Sequence, residues 1–206
     1  MSLAPRSLLL AACAVLPSIA AAQAPYDTGD WIVRVRATYL NSANKDSTGL
    51  GLSINDKTLP ELDITRFFTP NLAAELVLTY PQRQTIAAGG VPIGTLKHLP
   101  PVLSLQYHVT GLGAVRPYVG AGVNWTHFSD VRFDAATTAA LHPSIKDNSV
   151  GAALQAGLDV PLQAGWLLNA DAKWVQIKTD VDSSGAKVGT FKVNPWLLSL
   201  GAGYRF

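Results

Sequence analysis

Charged side chains recur at every second position in parts of this 206-residue chain, and ion pairing is the chemistry they favour. Arg34 and Arg36 flank a valine, and Asp171 and Lys173 flank an alanine. Charges gathered on one face and shielded from water must pair, because an unpaired buried charge is costly. We therefore expect a salt-bridged core in place of a hydrophobic one, built from Arg34, Arg36, Glu75, Asp159, Asp171 and Arg205.

Histidines and acids near the proposed outer rim raise catalysis as an alternative chemistry. The candidates are His98, His127 and His142 with nearby serines and the acids Asp130, Asp134 and Asp147. No motif fixes a triad among them, and scattered histidines at a rim are usually solvated. They also lack the close spacing of metal ligands. We predict no catalytic residue, no metal site and no cofactor.

The polar positions lie in segments where polar and apolar residues alternate, which is the period of a β-strand. We predict eight strands, at about 31–40, 59–68, 72–80, 102–110, 115–129, 149–160, 166–179 and 191–206. Three short connections (69–71, 110–113 and 161–165) alternate with four long ones (41–58, 81–101, 130–148 and 180–190), and 135–140 is a short helix candidate. Short periplasmic turns and long extracellular loops are typical of outer-membrane barrels.

Aromatic spacing provides a second argument for a membrane barrel. Trp166 and Trp174 lie eight residues apart on one strand face, and two further pairs (Trp31 with Tyr39, and Trp196 with Tyr204) repeat this spacing. Eight residues of tilted strand rise roughly 20 Å, close to the distance between the aromatic belts of a bilayer. A water-soluble β-sandwich does not require aromatics at both ends of its strands. The fold class predicted is all-β: an eight-stranded antiparallel transmembrane β-barrel.

The N-terminus and the composition agree with export to a membrane. Residues 1–22 have the features of a secretory signal peptide, with Arg6 before an apolar run and small residues at its end. The mature barrel would then be 23–206; Cys13 matches a lipoprotein box, but apolar residues follow it instead of a polar tether. Removal of the signal removes the only cysteine. Net charge is +2 with scattered charges, so no nucleic-acid surface is indicated. We expect a location in the outer membrane of a Gram-negative cell.

The inward face of such a barrel is polar below and partly apolar above. With both termini periplasmic, Arg34, Glu75, His108, Asp159, Asn169 and Arg205 fall in the lower half, and Arg36, Gln155 and Asp171 fall near the middle. The outer part carries Val77, Val102, Val175 and Leu197 as well as polar groups. An eight-stranded barrel is too narrow for a wide aqueous pore. The predicted channel-lining residues are Arg34, Arg36, Glu75, Val77, Val102, Gln106, His108, Tyr118, Asn124, Gln155, Asp171, Lys173, Leu197 and Arg205.

Three motifs, in this order and spacing, resemble the OmpW family over essentially the whole mature chain. They are 97–101 (KHLPP) with 105–108 (LQYH), 116–124 (RPYVGAGVN) and 201–206 (GAGYRF). The resemblance implies an eight-stranded outer-membrane barrel with a narrow hydrophobic channel, which helps small hydrophobic compounds across the membrane and releases them sideways through its wall. Lys173 departs from a purely apolar passage, and its partner would be Asp171 or Glu75.

These expectations lead to one preferred function and one alternative. The preferred function is uptake of a small hydrophobic ligand with lateral release into the membrane, and Pro100 and Pro101 mark the possible exit because prolines remove donors from the strand ladder. The alternative is a structural or surface-receptor barrel, in which the prolines merely end a strand. Expected partners are outer-membrane lipid and the barrel assembly machinery, the latter through the C-terminal aromatics Tyr204 and Phe206.

Overall fold

The computed structural model describes residues 25–206, so the predicted signal peptide lies outside the described residues. Regular structure consists of fifteen strands, one α-helix (α1) and one 3₁₀ turn. In chain order these are β1 Trp31–Asn41, β2 Lys45–Asp46, β3 Leu52–Ile54, β4 Lys57–Phe67, β5 Leu72–Leu78, β6 Gln82–Ala88, β7 Val91–Leu99, β8 Val102–His108, β9 Arg116–Phe133, α1 Ala135–Leu141, β10 Pro143–Ile145, β11 Asn148–Pro161, the 3₁₀ turn Gln163–Gly165, β12 Trp166–Val175, β13 Lys178–Ser183, β14 Ala186–Lys192 and β15 Trp196–Arg205.

Eight of the strands form a closed antiparallel barrel, as predicted. Their order around the wall is β1, β4, β5, β8, β9, β11, β12 and β15. The first and last strands pair from Ile32 with Arg205 to Asn41 with Trp196, and this pairing closes the barrel. Each wall strand pairs with a neighbour on both sides, except along residues 57–61 of β4, so almost all backbone groups of the wall are hydrogen-bonded between strands as a bilayer requires.

Side chains on the barrel strands alternate between a buried inner face and an exposed apolar outer face. In β1, Ile32, Arg34 and Arg36 point inward, while Val35 is exposed on the outside. Tryptophans flank the apolar band at both ends. Trp174 pairs with Trp196 at the extracellular end, and Trp166 packs on Tyr204 at the periplasmic end, with 5.3 Å between ring centroids. Within residues 25–206, no helix is long and apolar enough to cross a membrane.

Two predicted strands are too long, because the chain turns away from the barrel earlier than the alternation suggests. The predicted strand 166–179 ends at Val175, and residues from Lys178 belong to β13. The predicted strand 191–206 begins only at Trp196, since Asn194 adopts a left-handed backbone (φ 35°) and its side chain accepts a hydrogen bond from the Ile177 N–H at 3.0 Å. The helix candidate at 135–140 is confirmed as α1.

The long connections are themselves folded and extend the wall outward. β6 and β7 form a hairpin that pairs with β3 on one side and with the outer half of β9 on the other. A separate sheet with strand order β10-β13-β14-β2 stands beside it. Both sheets turn apolar side chains inward, among them Leu52, Ile86, Leu96, Val181 and Phe191, which join the core of the upper barrel.

Candidate functional site

The lower interior of the barrel is organised around Arg34, a fully buried arginine. Its guanidinium lies 2.8 Å from the Asp63 carboxylate and 2.7 Å from the Asp159 carboxylate, and it donates to the Thr65 hydroxyl at 2.8 Å. These contacts join β1, β4 and β11. The desolvated cation therefore has two desolvated anions against it, which is the arrangement that a buried charge needs.

A second layer of ion pairs lies above the first. Arg36 contacts Glu61 at 2.7 Å, Asp63 at 3.2 Å and Glu75 at 3.6 Å. Lys173 reaches the same Glu75 at 3.0 Å, so Glu75 is the partner that the sequence left open. The two layers together form the ion-paired floor, which consists of Arg34, Arg36, Glu61, Asp63, Glu75, Asp159 and Lys173.

Glycines opposite the largest floor side chains make space for them. Arg36 pairs across β1 and β15 with Gly201, where a Cβ would collide with the Val35 carbonyl and the Arg36 side chain. Tyr118 pairs across β9 and β11 with Gly157, where a Cβ would run into the tyrosine ring. Arg34 faces Gly203 in the same way. The space beside these glycines is thus occupied by the opposing side chains, and no opening remains there.

Tyr26 closes the floor from below. It precedes β1, donates its hydroxyl to Asp159 at 2.9 Å and packs on Phe67 with 4.3 Å between ring centroids. The Arg116 guanidinium lies 4.2 Å from the centre of the Tyr26 ring, on the same side of the barrel. Burial raises the pKa of Tyr26, so its hydroxyl stays protonated and donates.

The structure places thirteen of the fourteen predicted channel-lining residues in the buried interior and Arg205 at the periplasmic rim. Arg205 is 2.7 Å from Asp30 and 3.2 Å from Asp27, both in the segment that carries Tyr26. Gln106 donates to Glu75, and its carbonyl lies 3.0 Å from the His108 ring. Because its ion-pair partners are Arg36 and Lys173, Glu75 lies with the middle residues, above the lower half where the alternation puts it.

Two interior contributors were missed by the sequence reading. Glu61 lies two residues before Asp63 on the inward side of β4, so the alternation of that strand could have found it. Tyr26 lies outside every strand, so no period marks it. Only its position as an isolated aromatic between the predicted signal peptide and β1 could have drawn attention to it.

The upper interior is built around an apolar cluster, among which lie buried polar side chains such as Gln82, Gln84 and His98. Above the floor, Val77 and Val102 face each other across β5 and β8, and Leu40 and Leu197 do so across β1 and β15. Near the extracellular surface an apolar cavity of about 50 Å³ opens among the folded loops. Side chains from all four long connections line it, including Leu52, Ile86, Ile93, Leu96, Ile145 and Phe191.

The wall loses its hydrogen-bond ladder on one side of this upper interior. Pairing between β4 and β5 begins only at Leu62 with Leu78, so residues 57–61 have a barrel neighbour in β1 alone. Opposite them the chain passes through 79–81 and 100–101, which separate β5 from β6 and β7 from β8. We call this interval the side gap. Behind it is a cavity of about 10 Å³ whose lining includes Leu59, Glu61, Thr79, His98 and Pro100.

The two prolines act on different sides of their strand. The Pro101 carbonyl accepts a hydrogen bond from the Trp125 N–H at 3.2 Å, so the polar groups of Pro101 face β9. Backbone groups of successive residues point to opposite sides of a strand, and Pro100 therefore faces the side gap. Its missing N–H leaves that side without a donor.

The three histidines considered for catalysis have separate environments. His98 is buried against Phe128, His127 is exposed beside Asn148, and His142 ends α1 in a left-handed conformation. Within residues 25–206, no side-chain hydrogen bond joins any of these histidines to a serine or a carboxylate. The features of the barrel interior that can carry a function are therefore its ion-paired floor, its apolar cavity and its side gap.

Comparison with known proteins gives the family. Residues 27–206 match the OmpW family. The chain belongs to the OmpW family. An uncharacterized outer-membrane protein, y4mB, of Sinorhizobium fredii is 41% identical over 85% of this chain and 80% of its own. Outer membrane protein W of Vibrio cholerae is 32% identical over 94% and 96% of the two chains.

A solved structure of the same architecture supports the family assignment. The crystal structure of OprG from Pseudomonas aeruginosa superimposes with a TM-score of 0.78 at 25% identity, covering 88% of this chain and 97% of OprG. This OmpW-family chain is therefore an outer-membrane barrel. The matched family consists of outer-membrane barrels, and the comparisons indicate no enzyme family.

Proposed function

We propose that this OmpW-family barrel takes up small hydrophobic molecules from the cell exterior and releases them sideways into the outer membrane. The molecule enters through the apolar cavity among the loops and passes into the upper interior, lined by Val77, Val102 and Leu197. It leaves through the side gap beside Pro100. The hydrocarbon region outside the wall is the favourable destination for an apolar solute.

One observation carries this proposal: at the height of the side gap, the interior changes from a largely apolar cluster to the ion-paired floor. Leu59 and Glu61 are successive inward residues of β4, and both line the cavity behind the gap. Below Glu61 every route meets the floor and then Tyr26. An apolar solute that displaced those ion pairs would leave buried charges unpaired, at a cost of several kcal/mol. The sideways route avoids that cost.

The exit is tested by returning one backbone donor to the side gap. Pro100→Thr supplies an N–H directed at the gap, and Pro101→Thr, the matched control, supplies one directed at β9. If that donor bridges the gap with one hydrogen bond of about 1 kcal/mol, uptake should fall about fivefold in Pro100→Thr. Pro101→Thr should leave uptake unchanged. Uptake of naphthalene by cells carrying each variant measures the difference.

A hydrophilic sugar and cells without the gene complete the experiment. Sugar uptake should be the same in all strains, because the floor is closed. Equal naphthalene uptake with and without the gene would contradict transport and favour the structural or surface-receptor role. Equal loss in both proline variants would contradict the exit while leaving transport intact.

A further inference from the structure

Three lysines stand side by side on the outer face of the extracellular sheet. Lys178 of β13 pairs with Lys192 of β14, and Lys192 pairs with Lys45 of β2. All three are exposed, and residues directly opposite in antiparallel strands point to the same side. We call Lys45, Lys178 and Lys192 the lysine row.

The lysine row continues the lipid-facing wall of the barrel. Residues 176–177 and 193–195 lie between the barrel strands and this sheet, but buried and more exposed side chains still alternate through them. Lys178 and Lys192 therefore stay on the outward side, four residues from Trp174 and Trp196. Lys45 follows the exposed Tyr39 by six residues on the same face of its own column. Four residues of tilted strand rise about 10 Å. The ammonium groups therefore lie at the level of lipid headgroups, just above an aromatic belt.

The charges of the row are not balanced within the protein. Like charges directly opposite each other destabilise a sheet. Within residues 25–206, none of the three lysines forms an ion pair with an acidic side chain. The nearest face-sharing acid, Asp180, is already held by Lys146 and Lys187, at 2.6 Å each. These contacts hold the pKa of Asp180 below its ordinary value.

The surface around the row is concave and polar. A groove of about 590 Å³ opens in front of it, lined by the row with Ser47, Lys187, Thr190 and the Asp180 carboxylate that Lys146 and Lys187 hold. Asp46 borders the groove, but its carboxylate accepts from Thr48 and from the Leu52 N–H. The groove is thus a cationic recess with hydroxyl donors, and phosphate is the group that such a surface recognises.

We propose that the lysine row binds the phosphate groups of acidic glycolipid in the outer leaflet, such as lipid A. The position of the row, above a tryptophan pair on the lipid-facing side, favours a lipid headgroup over a dissolved anion. Bound phosphates would balance three adjacent lysines that the protein leaves unpaired. The sheet that covers one side of the barrel mouth would then be anchored to the surrounding leaflet.

Binding of lipid A to the mature protein in zwitterionic micelles, measured by microscale thermophoresis, tests the proposal. Each lysine near an anionic lipid surface contributes about a fivefold change in affinity, so K45Q/K178Q/K192Q should weaken binding on the order of 100-fold. The matched control R83Q/K97Q/R132Q removes three cations from the β6-β7-β9 side, where Asp130 lies 2.6 Å from Lys97. Its affinity should fall less than fivefold.

Two further probes identify the source of the phosphate. Dephosphorylated lipid A should bind the unmodified protein as weakly as lipid A binds the lysine-row variant. Inorganic phosphate at millimolar concentration should not compete with lipid A. Effective competition would contradict the lipid assignment and show that the lysine row binds a free anion. Equal losses in both triple variants, or no loss in the lysine-row variant, would overturn the proposal. If the triple variant does not fold, Lys178→Gln and Lys192→Gln should each show the fivefold loss.

Discussion

Ion pairs of single residues such as Arg34 hold the strands of this barrel together from inside, as apolar contacts do in the core of a soluble protein. Arg34 contacts carboxylates from β4 and β11 while it belongs to β1. Because every member of these ion pairs is buried, the pairs stabilise the folded barrel only while all of their members are present. Losing one member is costly even where replacing the whole set by apolar groups is not.

Arg34→Leu should therefore destabilise the barrel. The change leaves Asp159 without its cation and removes one of the two cations beside Asp63, so we expect the free energy of unfolding to fall by about 3–5 kcal/mol. Urea unfolding in lipid vesicles measures it. Arg66→Gln is the control, because Arg66 is exposed and its guanidinium only covers the Trp31 ring at 5.2 Å; its cost should stay below about 1 kcal/mol.

A second variant shows whether the cost comes from the unpaired charge. Arg34→Leu combined with Asp159→Asn removes both partners, and the double variant should be more stable than Arg34→Leu alone. Equal stability of the two would contradict the ion-pair explanation and point to lost packing.

At the scale of elements, the short segment before β1 acts as a plug. Residues 25–30 carry no regular structure, yet Tyr26 is buried and Asp27 and Asp30 contact Arg205 of the last strand. The plug is thus attached to β15 as well as to the floor. The Tyr26 ring and two ion pairs hold this segment in place.

Tyr26→Ala should open the periplasmic end to small polar solutes. Loss of the ring removes the contacts with Phe67 and Arg116 and leaves a gap below His108. Liposome swelling in a small sugar should become faster than for the unmodified protein. Tyr80→Ala serves as the control, because Tyr80 is exposed outside the barrel. Unchanged swelling in both would show that the floor alone is the seal.

Elements also differ in how well the sequence predicts them. Strands that cross the bilayer are predictable because one face contacts lipid and the other contacts the ion-paired interior. Apolar and polar side chains must therefore alternate strictly, as in β1. β6 and β7 lie outside the lipid and lack that constraint, so their sequences give only a long connection. Arg34 could be placed inside by its period. Its pairing with Asp159, 125 residues away, depends on the closed order of strands and could not be predicted.

At the scale of the whole molecule, the two ends of the barrel are unlike. The extracellular end is tall, folded and apolar inside, whereas the periplasmic end has three tight connections and a sealed floor. This asymmetry gives the barrel a direction. On the proposed route, a solute from outside would reach the side gap at the height of Glu61, above the rest of the ion-paired floor.

Orientation is tested by labelling single cysteines in intact cells. The only cysteine of the chain, Cys13, lies in the predicted signal peptide. Ala139→Cys in α1 should react with a membrane-impermeant maleimide, and Leu112→Cys in the turn between β8 and β9 should react only after the outer membrane is permeabilised. Both positions are exposed, so accessibility within the protein is matched. The reverse labelling pattern would mean that the barrel has the opposite orientation in the membrane.

The glycines that receive the two floor arginines have a consequence for assembly. Gly201 and Gly203 both belong to β15, the last strand, while Arg34 and Arg36 belong to the first. Until these two strands pair, neither guanidinium has its final space, and water can still reach the charges. Sealing the cylinder and drying its centre are therefore one event. A nascent chain missing only its final ten residues would hold seven strands around a wet, ionised centre, so insertion should proceed as an all-or-none step.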